Sequence, residues 1–256
     1  MIQTFSLAFI FLAWLLLPGC KCNDDRDVIP DTTLVSTPTP VQTPIYFNVY
    51  GALFAIRQVT RTPDSISSEI AYAMLFDGPA STTDTPGLVD AGQVSVNNIP
   101  LNKADNNFYQ RTAAEGYLFS NLNLNQNTSW HVQGNDGIPP SAYLMSGKFP
   151  RYSGEYPALI RRSEGLTLTF DASTLIYTDS VFVAISAGDK LIIKRYGAKA
   201  GTVTIPPDEL TPLQKCPSHK PGYLQISLAD CTILPWYGRP TVVIKASLEI
   251  RHVLID

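Results

Sequence analysis

The chain has 256 residues, enough for one large domain or two small ones. Hydrophobic residues make up 45%, which supplies a core and argues against disorder, whereas charged residues make up only 16%, below the ~25% of an average soluble domain. Lys plus Arg is 19 against 22 for Asp plus Glu, a net charge of −3, and no stretch gathers a basic face, so nucleic acid is excluded as an expected partner. Thr, Ser, Asn and Pro fill the space the charges leave, a profile of extracellular β-proteins.

Chain order begins with an apolar run between Ile2 and Leu17 that includes Phe9, Ile10, Phe11, Leu12, Ala13, Trp14, Leu15 and Leu16. About a dozen apolar residues are too few for a permanent span, which takes ~20, but they suit the hydrophobic region of a signal peptide. The run ends in Leu17-Pro18-Gly19-Cys20, which resembles the lipobox of bacterial lipoproteins. Pro18 departs from the small residue usual at its place, and the only positive charge ahead of the run is the amino terminus. The resemblance implies a leader over 1–19, removed on export, and Cys20 as the lipid-attachment residue. Its sulfur takes a diacylglycerol in thioether linkage, and several acyl chains give stable attachment, each buried CH₂ adding ~0.8 kcal/mol. The alternatives are an uncleaved membrane helix or a leader cleaved elsewhere.

Residues 20–44 read as a tether. Lys21-Cys22-Asn23-Asp24-Asp25-Arg26-Asp27 places acids beside the anchor, and this looks like the export signal of surface-displayed lipoproteins in Bacteroidota-type bacteria. The expected location is the outer membrane, at the cell surface, with a plain solvated linker on the periplasmic face as the alternative. Pro30, Pro38, Pro40 and Pro44 among many Thr and Ser favour an extended chain rising ~3.1 Å per residue. Cys22 has no obvious partner in this stretch.

From Ile45 apolar residues alternate between turn formers, the signal of half-buried strands. Strands are expected over 46–59, 68–76, 92–96, 129–133, 142–146, 165–170, 180–186, 190–196, 202–205, 223–228 and 242–253. Turns are expected at Asp77-Gly78-Pro79, Asn97-Asn98, Gly134-Asn135-Asp136-Gly137 and Ala187-Gly188-Asp189. Pro206-Pro207-Asp208-Glu209-Leu210 carries the one helical signal, prolines and acids at a first turn. The expected fold is all-β, a β-sandwich that is either one large unit or two in tandem, with halves over 45–155 and 156–256. Between Arg162 and His252, Leu166-Thr167-Leu168-Thr169-Phe170, Asp179 to Ile185 and Gly201 to Leu210 resemble Ig-like or fibronectin-like modules of bacterial surface proteins. The resemblance implies fold rather than function.

The downstream cysteines, Cys216 and Cys231, enclose 14 residues, and in an oxidising compartment a bridge between them adds about 3 kcal/mol of chain-entropy stabilisation. The sequence predicts that disulfide. Neither a Cys-x-x-Cys pair nor a Cys/His cluster occurs, and Asn123, Asn125, Asn127, Asn135 and Asp136 fall short of a calcium cage, so no metal and no cofactor is expected. Asp84-Thr85-Pro86-Gly87 is a turn without a phosphate loop, and neither Gly-x-Ser-x-Gly nor His-Glu-x-x-His appears. His131, His219 and His252 stand apart from one another. Asp77, Asp90, Glu115, Asp136 and Glu155 offer no selected pair for glycoside hydrolysis. Trp130 alternates into a strand interior, whereas Trp236 and Tyr237, before Gly238, are the residues expected to meet a ligand.

The sequence therefore predicts a non-enzymatic lipoprotein that holds a binding or adhesion module for a glycan or protein ligand away from the membrane. The rivals are an envelope hydrolase or glycan-processing enzyme, which needs a deep polar cleft, and a protease inhibitor presenting the braced segment between Cys216 and Cys231 around Pro217, Lys220 and Pro221.

Overall fold

The computed structural model describes residues 49–61, 66–80, 86–111, 122–124, 127–135, 137–171, 173, 175–197, 201–216 and 221–256. Its first half contains β1 (Val49–Arg61), β2 (Ile66–Ala80), β3 (Val94–Val96), β4 (Ile99–Pro100), β5 (Asn102–Lys103), β6 (Tyr109–Arg111), β7 (Thr128–Val132) and β8 (Ser141–Met145). The second half contains β9 (Leu159–Ile160), β10 (Leu166–Thr169), β11 (Ser180–Ala187), β12 (Lys190–Gly197), β13 (Thr202–Ile205), the single helical turn α1 (Pro207–Leu210), β14 (Gly222–Trp236) and β15 (Arg239–Ile255). The protein is all-β.

One large sheet runs β12-β11-β14-β15-β1-β2-β6-β5, with β9 added beside the end of β15. Its axis is the β14–β15 hairpin, paired continuously from Gly222↔Val253 to Trp236↔Arg239. Beside it β1 runs parallel to β15, Gly51 facing Thr241 and Arg61 facing Arg251. Where β1 ends, β9 takes its place, with Ile160 beside Ile255.

Two smaller sheets cover one face of the large one. In the first half β4-β3-β7-β8 closes a core in which Leu53, Ala73, Leu75 and Val243 meet Val94, Val96, Trp130 and Val132. In the second half β10-β13 closes another, where Val183, Ile185, Leu224, Ile226 and Ile255 meet Leu166, Leu168, Val203 and Ile205. The helical turn α1 caps this core with Leu210. The hairpin passes from one core to the other, so two sandwiches share a single sheet.

The opposite face of the large sheet is apolar as well. Side chains alternate along a strand, so Phe54, Tyr72, Met74, Cys231, Ile244 and Ala246 point away from both cores and form a third cluster with Ala184 and Ala229. Phe54 and Ala229 there are 0% exposed. Continuous apolar runs such as Ala52 to Ile56 supply both faces at once.

Differences from the expected elements are local. The strand expected over 223–228 runs on through Asp230, Cys231 and Pro235 to Trp236. The turn expected at Asp77-Gly78-Pro79 is instead the irregular end of β2, where the register slips between Val49 and Gly51 and the chain pairs back through Phe76↔Leu88. The turns at Asn97-Asn98 and Gly188-Asp189 are present, the former with both residues at positive φ.

Candidate functional site

β14 and β15 are joined by two residues, Tyr237 and Gly238, at φ 46° and 75°. Such a turn takes positive φ at both positions, which suits the twist of a hairpin and favours Asn-Gly. A tyrosine at the first position is costly, because its Cβ crowds the backbone in the left-handed region. Tyr237 is also 75% exposed. A bulky ring is thus held outward at the tip of the longest hairpin, at a position that Asn would fill more cheaply. Beneath the tip, Arg239 stacks its guanidinium 5.4 Å from the ring centre of Tyr50. Trp236, paired with Arg239, is half-buried and packs against the first core, so of the two aromatic residues only Tyr237 is free to meet a ligand.

A second open surface lies on the outer face of β4-β3-β7-β8. Gln93, Ser95, Asn98, Ser129 and His131 line a shallow groove of about 340 Å³ over the backbone of Trp130. Amide, hydroxyl and imidazole groups face it, without a carboxylate. Trp130 itself is in the core, as its place in the strand alternation predicts. The alternation that buries Trp130 turns Ser129 and His131 outward, and that was the available signal for this face.

Several of the other polar residues have structural partners. Asp90 accepts hydrogen bonds from Lys103 Nζ (2.8 Å), the Gly92 N–H (2.9 Å) and the Tyr109 hydroxyl (2.9 Å). The bonds from Lys103, Gly92 and Tyr109 hold its carboxyl down at about 2. Burial, with the Asp90 charge beside it, pushes the Tyr109 phenol up to about 12. Asn97 donates to the Leu122 carbonyl and accepts from the Ser129 N–H, and Asn127 accepts from the Gly147 N–H, so these asparagines brace backbone. His131 is exposed on β7, and His252 packs edge-on against its cross-strand neighbour Tyr223 at 4.9 Å. Glu155 lends only its carbonyl, to the Tyr152 hydroxyl. Among the described residues no three His, Cys, Asp or Glu side chains gather as a metal site. His219, Glu115 and Asp136 lie outside the described residues, as do Cys20 and Cys22.

The interior carries charge where the two cores meet. Lys245 is 0% exposed, and its ammonium donates to the carbonyls of Ser146 (3.2 Å) and Gly147 (3.0 Å). Phe149 and Tyr177 present ring faces to it. Desolvation lowers its pKa against the opposing pull of Asp230. Further along β15, Arg251 lies 3.9 Å above the ring of Tyr156, whose phenol is pushed up by burial and by Glu249. Lys245 is enclosed by the fold, whereas Tyr156 and Arg251 are half-buried.

The expected bridge between Cys216 and Cys231 does not form. Cys216 pairs its backbone with Ile255 and Cys231 with Ile244, eleven residues apart on one strand. At ~3.3 Å per residue that separation is roughly 36 Å, against a limit near 7 Å between the Cα atoms of a disulfide. Cys216 is a free, buried thiol, whereas Cys231 is disulfide-bonded to a partner outside the described residues. Loop length misled here because both flanks of the segment run away from each other along the hairpin. The braced inhibitor loop loses its brace with this correction.

Comparison with protein-family models, curated proteins and solved structures finds no match for this chain.

Proposed function

We propose that the protein is a lipid-anchored envelope protein, attached through Cys20 to the outer membrane, whose sandwiches form a non-enzymatic binding or adhesion module. The observation that carries the binding reading is Tyr237, an exposed ring kept in a backbone conformation unfavourable to it. Local strain of this kind, on the order of 1–3 kcal/mol, is retained where the side chain has work to do. A flat exposed ring suits stacking on a sugar face, and the neutral amide and hydroxyl groups around His131 suit a polyhydroxylated ligand. A neutral glycan is accordingly the first ligand class. The apolar leader and the Leu17-Pro18-Gly19-Cys20 sequence support the anchor.

The test is a glycan array probed with soluble Cys20→Ala protein beside its Tyr237→Ala version. Retention of defined glycans that falls at least about tenfold in the tip variant is expected. Equal retention by both would remove Tyr237 from the site. Palmitate incorporation into the full chain, compared with Cys20→Ala, tests the anchor separately, and unchanged labelling of the variant overturns it.

A further inference from the structure

Backbone groups alternate sides along a strand, so the register of the sheet β4-β3-β7-β8 fixes where its edge strand β8 points its N–H and C=O groups. The Asn97 N–H donates to the Ser129 carbonyl (2.7 Å) and the Gln133 N–H to the Gln93 carbonyl (2.8 Å), so Ser129, His131 and Gln133 bond towards β3. Thr128, Trp130 and Val132 therefore bond towards β8, where they face Met145, Tyr143 and Ser141. The residues between, Ala142 and Leu144, turn their backbone groups away from β7, and no hydrogen bond from another described element reaches them. Both are exposed, Leu144 at 56%.

β8 reads Ser-Ala-Tyr-Leu-Met, without a charge or a proline. Other edges of the described sheets are blunted in the ways natural sheets use. β12 carries Lys190, Lys194 and Arg195, while β4, β5 and β9 are two residues long, with Pro100 in β4. In the sheet β10-β13 the Thr204 carbonyl accepts the Tyr196 hydroxyl (3.1 Å), and the Thr169 carbonyl lies against Gly154. β8 has none of these guards.

We infer that β8 pairs antiparallel with β8 of a second copy of this chain, about a two-fold axis at Tyr143, and joins the two four-stranded sheets into one. Ala142 then faces the partner's Leu144 and Leu144 the partner's Ala142, each pair exchanging both of its N–H···O bonds. A large side chain lies beside a small one on each side of the axis, and β8 brings no charge to repel its copy, whereas β12 paired with itself would set three cations against three. Pro140 lacks an N–H and stops the ladder, so the contact is short and the dimer weak in free solution. The pairing also enlarges the polar surface. Ala142 borders the groove of Gln93, Ser95, Ser129 and His131, so the two grooves come to lie on one face, their β7 strands three inter-strand steps, roughly 14 Å, apart. This consequence rests on the glycan reading above: an extended oligosaccharide spans both copies, and the two sites act together.

The register is tested by oxidative cross-linking of the full-length protein in membranes. Ala142→Cys and Leu144→Cys copies should link when co-expressed, because these positions face each other, and link far less when either is expressed alone, because like positions are ~8–9 Å apart. Equal linking in all three samples overturns the register. Sedimentation of soluble Cys20→Ala protein, without glycan, tests the association. Its mean mass should climb with concentration towards that of a dimer. Leu144→Pro removes an outward N–H and spares the ladder with β7, so it should raise the midpoint concentration at least about tenfold with the thermal melt unchanged. A monomer up to about 1 mM, or association unaltered by Leu144→Pro, overturns the pairing. Leu144→Pro should also lose about tenfold in retention of long glycans and keep short ones. Equal retention of long glycans overturns the joint face, and a dimer that retains no glycan at all overturns the glycan reading and leaves the pairing standing.

Discussion

Asp230 and Lys245 face each other across the β14–β15 ladder, and their charged ends meet at 3.6 Å with the ammonium wholly shut off from solvent. Two carbonyls and one carboxylate offset a large desolvation cost at the boundary of the two cores. Lys245→Met keeps the volume and removes the charge, so a loss below about 1 kcal/mol, or a gain, is expected in urea unfolding. Asp230→Asn leaves the ammonium buried with the carbonyls alone and should cost about 1–3 kcal/mol.

The same pair sets a pH signature. The folded pKa of Lys245 lies below its unfolded value, so the unfolded state binds more protons in the window between them. The burden of the charged lysine is complete below the folded value and lifts as pH rises through it towards the ordinary lysine range. The stability of the wild-type chain relative to Lys245→Met should therefore improve with rising pH. A difference that is flat between pH 7 and 10, measured by denaturant titration, would count against this account.

Asp90 works at the other end of the scale. Its folded carboxyl titrates at about 2, below its unfolded value, so its contribution is complete above about pH 4 and disappears as pH falls towards 2. Asp90 is partly solvent-exposed, and screening reduces the effect to at most about 1 kcal/mol. Asp90→Asn should cost that amount at pH 7 and clearly less at pH 2. Tyr109→Phe removes both the donor to Asp90 and the acceptor for the Ala91 N–H, and a larger loss than for Asp90→Asn is expected.

At the hairpin tip stability and binding should move in opposite directions. Tyr237→Asn relieves the left-handed tyrosine and is expected to raise stability by about 0.5–1 kcal/mol while weakening ligand retention. A thermal melt and a binding assay on the same sample read both. Trp130→Ala, by contrast, empties a core position and should cost about 3–5 kcal/mol.

Gly134 offers a backbone test. At φ 87°, a Cβ on it meets the Pro140 nitrogen at 2.7 Å and the Ile138 carbonyl at 2.8 Å, atoms that cannot turn aside. Gly134→Ala should destabilise by more than the ~1 kcal/mol of left-handed strain alone. Equal stability of the two proteins in urea would refute the close approach.

Most long strands were legible because alternation is a local property. β11, β12 and β13 lie within a residue of their expected bounds. β4, β5, β6 and β9 are two or three residues each, too short to alternate, and exist because a neighbouring strand offers an unpaired edge. The end of β14 was hidden by Asp230 and Pro235, residues that read as breakers until Lys245 and Pro240 are set opposite them. The aromatic pair at the tip was visible, but which of its rings is exposed depends on core packing that sequence does not print. Val242-Val243-Ile244 is buried on both faces of the sheet, which the expectation of half-buried, alternating strands did not include. Cysteine spacing fixed nothing, because a disulfide obeys distance in space.

The parallel pairing of β1 with β15 bears on how the chain comes to be made. Gly51 lies against Thr241, 190 positions later, so the central ladder cannot close until nearly all of these residues have been delivered. A polypeptide that emerges amino end first, from a ribosome or through a translocation pore, carries β1 and β2 for most of its synthesis as a hairpin with one edge and both apolar faces unsheltered. Such long-range closure is slow, and open edges invite wrong partners in the interval. The edge of β1 that β15 will cover thus stays open until the last strand arrives.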